Sequence, residues 1–160
     1  MERVDERDTF PFFKMRFVIM YKNGYTIYRV RGDNMFTEHL IKEKLGLINL
    51  PEKFMAKIQH DLDYILSCEL EDLQQIILFG SCARGTVKAT SDVDWIIVTH
   101  LPIEDRALRH RLLCDICDEY KGVGADLVFA TTQQRLERNS SFMKMIEADE
   151  IIMWERSECN

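Results

Sequence analysis

The chain has 160 residues, 46% apolar and 30% charged, which suits one globular domain that buries a core without disulfides or metal staples. Its 27 acidic against 21 basic residues leave a net charge of −6, which offers no electrostatic footprint for a long nucleic acid. No apolar run approaches the roughly 20 residues needed to span a bilayer, so no membrane is expected. Five cysteines without regular spacing, behind an N-terminus ("MERVDERDTFPFF") that lacks a signal-peptide apolar segment, point to a reducing, cytoplasmic setting.

In chain order, "MRFVIMY", "KNG" and "YTIYRVR" (residues 15–31) predict a β-hairpin. Asn23-Gly24 suits a type I′ turn, which needs positive φ at both central positions, and sets Tyr21 against Thr26, Ile19 against Tyr28 and Phe17 against Val30. That register gives one almost wholly apolar face and puts Arg16 opposite Arg31 on the other, with Arg29 beside them. "MFTEHLIKEKL" (35–45) predicts a short helix stopped by Gly46, and Pro51 opens a second helix in which Phe54, Ile58, Leu62 and Ile65 repeat at helical spacing. "QIILFG" and "DVDWIIVTH" follow as short buried strands, then a helix over 104–120 and a third strand in "GVGADLVFA". A helix within 133–148 and a short strand, "EIIMW", complete the pattern. Strands alternating with helices predict an α/β (α+β) fold, a small mixed β-sheet flanked by helices. Residues 1–48 form an N-terminal hairpin–helix extension and 49–160 the core.

Carboxylates inside an apolar strand need a reason, because burying two ionised groups side by side is costly unless a cation lies between them. Side chains at i and i+2 of a strand share a face, so Asp92 and Asp94 project together while Val93 packs the other way. Mg²⁺ takes one or two carboxylates plus substrate phosphates, and this pair suits it. Asp126, near the start of the third strand, joins them if that strand is the neighbour, and three carboxylates could then hold one or two ions. Asp126 is also the candidate general base for an acceptor hydroxyl. Upstream, Gly80 lets backbone approach a phosphate, and "SCARG" reads as a short helical turn ending at Gly85 that aims amides and the Ser81 hydroxyl at the anion. Arg84 and Lys88 supply positive charge on the same loop.

"GSCARGTVKATSDVD" resembles the signature of the nucleotidyltransferase superfamily with the DNA polymerase β-type fold: Gly-Ser, ten residues, then Asp-x-Asp. It is similar in particular to the minimal nucleotidyltransferases, on whose pattern Gly80, Ser81, Ala83, Arg84, Gly85, Ser91, Asp92 and Asp94 fall, with Asp126 at the third carboxylate. The likeness covers roughly residues 50–155; Cys82, Ala89 and Trp95 depart from it without removing a metal ligand. It implies transfer of a nucleoside monophosphate, usually AMP from ATP, onto a hydroxyl, with Mg²⁺ (one or two ions) and ATP or another nucleoside triphosphate. Gly80, Ser81, Arg84, Lys88 and Ser91 are then the nucleotide-binding residues, and Asp92, Asp94 and Asp126 the metal-holding and catalytic ones. Acceptors among similar proteins include aminoglycoside hydroxyls and tyrosines of a HEPN-type toxin, where the nucleotidyltransferase is the antitoxin. A partner-protein hydroxyl is the leading expectation; an aminoglycoside-type acceptor and a non-catalytic partner-binding module are the alternatives. The three carboxylates favour catalysis, since a binder has no need of them.

Three minor features carry expectations as well. Cys114 and Cys117 form a CxxC inside a helix with no second pair, which reads as packing rather than zinc binding. Cys82 reads as a solvent-accessible thiol on the phosphate loop, and His100, after the Asp-x-Asp strand, as a residue that could line the pocket.

Overall fold

A computed structural model describes residues 17–22, 25–30, 35–68, 70–137 and 141–156, with side chains from residue 38 onward. Strand β1 (Phe17–Lys22) pairs antiparallel with β2 (Tyr25–Val30), and Phe17↔Val30, Ile19↔Tyr28 and Tyr21↔Thr26 follow the register that the hairpin reading gives. The turn residues Asn23 and Gly24, Arg16, Arg31 and the side chain of Arg29 lie outside the described residues. The hairpin belongs to one compact unit, and Thr37–Ser157 form a second.

The second unit carries a four-stranded sheet in the order β5-β4-β3-β6. After α1 (Met35–Leu45) and α2 (Glu52–Ser67), β3 (Leu73–Phe79) runs into a one-turn helix, α3 (Gly80–Arg84), and returns as β4 (Val93–Thr99). Helix α4 (Arg106–Cys117) crosses over to β5 (Ala125–Thr131), and α5 (Thr132–Leu136) and α6 (Ser141–Glu147) precede β6 (Ile151–Glu155). Only the β4–β5 pair is parallel, as its helical crossover requires; β3 is antiparallel to both neighbours, so the sheet is mixed.

The period-2 pleat splits the strand residues between two cores. Ile76, Leu78, Val93, Trp95 and Ile97 face α2 and α4, meeting Phe54, Ile58, Leu62, Ile65, Leu112 and Ile116. Ile77, Phe79, Ile96, Val98 and Ala130 form the opposite face with Ile146 of α6. Asp94 shares this second face by alternation with Ile96 and Val98, and stands where it runs out at the strand's start.

Two helices differ from the sequence reading. The crossover helix is shorter than 104–120 because Asp105 caps it, its carboxylate accepting from the Ala107 and Leu108 amides at 2.9 and 3.0 Å. The region expected as one helix within 133–148 holds two, α5 and α6; α5 starts directly on β5 through a capping box between Thr131 and Gln134.

Ile58 is fully buried on α2 and Leu47 fully exposed. Ile58→Ala is expected to destabilise by about 2–5 kcal/mol and Leu47→Ala by no more than about 0.5 kcal/mol in urea unfolding.

Candidate active site

Strand register builds the site. The antiparallel pairing sets Phe79 opposite Asp94, and the parallel pairing sets Asp94 opposite Asp126. Asp94 is therefore flanked by the end of β3 on one side and by Asp126 on the other. Asp92 lies one residue before β4 and reaches toward β5: its Oδ1 would stand 3.0 Å from a Cβ added to Gly124, so glycine there leaves room for the carboxylate. Beside it the Val93 amide donates to the Gly124 carbonyl at 3.0 Å, fixing the mouth of the β4–β5 pair.

Asp94 feels the other two carboxylates. Burial, then the charges of Asp126 and Asp92, push the half-buried Asp94 carboxyl up to about 6, with Arg84 opposing. Asp92 and Asp126 are exposed. Among the described residues no group of three or more His, Cys, Asp or Glu makes a ready-made cation cage. The donor chemistry nevertheless suits Mg²⁺, which takes one or two carboxylates and completes its shell with phosphate oxygens, and the register sets the Asp94 and Asp126 carboxylates on adjacent strands.

The 80–91 loop is shaped by two glycines. Gly80 adopts φ +70°, and a Cβ there would run into Asp94 Oδ2, so backbone and carboxylate meet only because the side chain is absent. Gly85, at φ +69°, closes α3; its amide donates to the Cys82 carbonyl at 3.1 Å and the Thr86 amide to the Ser81 carbonyl at 2.9 Å. This is the short helical turn that the sequence reading places there. Ser81 is half-buried in that turn, and Lys88 is exposed. The Ser91 hydroxyl accepts from the Lys88 amide at 2.8 Å and so holds the turn leading to Asp92. Arg84 donates from Nη1 to Asp149 Oδ2 at 2.9 Å, which anchors the loop to the turn before β6.

Three sequence expectations are corrected. Cys82 is fully buried; its thiol donates to the Asp92 carbonyl at 3.7 Å, and burial, aided by the charge of Asp94, pushes it up to about 12. Cys114 and Cys117 are exposed rather than packed, because Leu112 and Ile116 supply the inward stripe of α4. His100 follows the far end of β4, six residues from Asp94 and so roughly 20 Å away, where its Nδ1 meets Thr132 Oγ1 at 3.5 Å.

One group escaped the sequence reading altogether. Lys57 and Asp61 are both fully buried on α2, with Lys57 Nζ donating to Asp61 Oδ1 at 2.8 Å. Asp61 Oδ2 accepts from Trp95 Nε1 at 3.0 Å. The signal was present: 54, 57, 58, 61, 62 and 65 form one helical stripe, and two of those six positions are charged.

Residues 65–153, more than half of the chain and including every residue from Gly80 to Asp126 named above, match the family model of the nucleotidyltransferase domain. The chain belongs to that family. A Methanocaldococcus jannaschii protein named as a putative protein adenylyltransferase is 36% identical over 74 residues, which are 46% of this chain and 46% of that one. The chain thus matches less than half the length of that relative. Of solved structures, a putative nucleotidyltransferase from Sulfolobus solfataricus aligns with a TM-score of 0.43 at 18% identity, over 79% of this chain and 91% of that one. A toxin–antitoxin structure with AMP-PNP aligns with a TM-score of 0.45 at 23% identity, over 60% and 72%.

For this nucleotidyltransferase, the Asp94 shift has a definite sign. The folded value of about 6 lies above the ordinary 3.8, so the native state favours the protonated form and loses stability as pH rises from about 4 through 6. Asp94→Asn should therefore stabilise the metal-free protein at pH 7.5. The expected gain is about 1 kcal/mol once solvent screening is allowed for, or about 3 °C in melting temperature, shrinking toward zero at pH 4. A scan of melting temperature against pH for both proteins checks this. Brief iodoacetamide treatment of the native protein, mapped by mass spectrometry, should modify Cys114 and leave Cys82 untouched; labelling of Cys82 before unfolding would contradict its burial.

Proposed function

We propose that this nucleotidyltransferase moves AMP from Mg·ATP onto a hydroxyl of a partner protein. The observation that carries the reaction is the register that sets Asp94 between Asp126 and the glycine of the phosphate loop, so that carboxylates and loop share one small site. Asp92, Asp94 and Asp126 are the residues that would hold Mg²⁺. When bound, the ion neutralises the triphosphate and the crowded carboxylates, and it lowers the barrier to displacement at phosphorus.

The chain's own groups do the rest. Gly80 lets the loop backbone approach the phosphates, and the Ser81 hydroxyl donates to one of their oxygens. Lys88 and Arg84 supply positive charge beside the leaving pyrophosphate, and Ser91 keeps the loop's exit turned toward Asp92. Asp126, exposed on the neighbouring strand, accepts the proton of the acceptor hydroxyl as its oxygen bonds to the α-phosphorus and the bond to the β-phosphate breaks. A protein acceptor is supported by the relative named for protein adenylylation. Within that class a HEPN-type toxin hydroxyl is the specific candidate, on the resemblance of the loop to the minimal nucleotidyltransferases, and makes this chain an antitoxin.

Incubation with α-labelled ATP, Mg²⁺ and native lysate should put label on one discrete protein band, and Asp94→Asn should erase it. Label confined to RNA or to added aminoglycoside would sink the acceptor assignment, and no label with intact Mg·ATP binding would favour a non-catalytic binder. Ser81→Ala should weaken ATP binding by about 1.5–3 kcal/mol, as for one hydrogen bond to a charged group. Asp126→Ala should reduce transfer by about 10²–10⁴-fold while affecting ATP binding far less. Equal effects of both substitutions on ATP affinity would contradict these roles.

A further inference from the structure

Lys57, His60 and Asp61 lie on one side of α2 and together reach the segment that leads into β5 and the Trp95 side chain of β4. An ammonium has three donors, and all three of Lys57 are used: Asp61 Oδ1 at 2.8 Å, the Ile116 carbonyl at 2.7 Å and the Asp118 carbonyl at 2.8 Å. The last two are the end of α4, where the chain turns toward β5. Two residues on, Tyr120 stacks on His60 with ring centroids 4.2 Å apart, and His60 Nδ1 lies 3.3 Å from Asp61 Oδ1. Tyr120 and Val123 exchange backbone hydrogen bonds at 3.0 and 3.1 Å, and Gly124 then receives the Val93 amide. From the other direction Asp61 holds the indole of Trp95, the residue after Asp94.

We propose that the Lys57–Asp61–Trp95 chain is a positioning network for the carboxylates. It fixes the height of β4 through Trp95 and of β5 through the 116–124 segment, and so sets Asp92 and Asp94 against Asp126. The proposal rests on the nucleotidyltransferase reading of that site. Physical chemistry separates this role from simple stabilisation. A buried ion pair replaced as a unit by apolar side chains often leaves stability unchanged or raised, whereas removing one partner strands a buried charge. Positioning, by contrast, is sensitive to displacements of about 1 Å, which can lower turnover about a hundredfold. A network needed only for stability would be dispensable as a pair; one needed for geometry would not.

Two variants test this in the full chain: Lys57→Met with Asp61→Leu, which removes both charges together, and Trp95→Phe, which removes the indole N–H while keeping an aromatic ring. The measurements are melting temperature, amide hydrogen exchange over 93 and 118–124, and kcat and KM for nucleotide transfer. The double variant, which leaves the Ile116 and Asp118 carbonyls and the Trp95 N–H without these partners, should stay folded with a lowered melting temperature, exchange faster at Val93 and across 118–124, and lose about a hundredfold in kcat with KM for ATP held. Trp95→Phe should move exchange at Val93 and kcat in the same directions by less, and it carries the test if the double variant does not fold. Unchanged exchange in folded variants overturns the proposal, and so does faster exchange with kcat intact. A wild type that transfers nothing would overturn the functional reading instead, and exchange alone would then decide whether the network holds the strand entrances.

Discussion

Everything at the working end of this protein depends on placing the carboxyl of Asp94 where three unfavourable terms meet. It is half-buried, it faces two like charges, and the backbone of Gly80 is pressed against it. Burial and the two like charges together raise the carboxyl from 3.8 to about 6. The position persists because the sheet leaves no alternative. Val93 and Trp95 are locked into the core on one face, so the residue between them must point to the other. Two apolar neighbours thus force a carboxylate into a place it would not otherwise occupy.

The two-faced sheet explains why such a cost is bearable. One face builds the larger core with α2 and α4, and the second is a smaller cluster under α6. The carboxylates stand at the border of the smaller cluster, where β4 and β5 begin and β3 ends. Here β3 stops at a left-handed glycine, β4 opens after an exposed aspartate and β5 opens after another glycine. At this edge the two glycines, Gly80 and Gly124, let backbone lie close against the Asp94 and Asp92 carboxyls.

Much of this was legible in the sequence because the deciding signals are local. Asn23-Gly24 set a hairpin register that the described strand pairs match, since a two-residue turn admits few alternatives. Apolar spacing on α2 identified Phe54, Ile58, Leu62 and Ile65 as core. The Gly-Ser loop and the Asp-x-Asp strand led to a turn and a register that bring Asp94 and Asp126 side by side. What stayed hidden was set by long-range contact. Cys82 reads as a loop thiol until the loop folds back over Asp92, and nothing local to α2 foretells that the end of α4 brings two carbonyls to Lys57. No periodicity of a single helix can tell whether its inward lysine will find three acceptors. That depends on a segment some sixty residues away.

Asp61 and Asp94 make the comparison that best separates architecture from chemistry. Both carboxyls are raised by burial first, and each shares its strand or helix with apolar neighbours. Asp61 is opposed by a lysine four residues away on the same helix, and by the Trp95 N–H, so its charge is answered within the fold. For Asp94 the opposing cation is Arg84, and that guanidinium is engaged by Asp149. The remaining neighbours in its electrostatic field are the carboxylates of Asp126 and Asp92, which add to the burden. The same fold thus closes one carboxylate with a counter-ion and leaves the other half-buried among like charges. The difference is a counter-ion built into the fold at Asp61, whereas on the proposed function Asp94, with Asp92 and Asp126, would answer its charge by holding a metal ion.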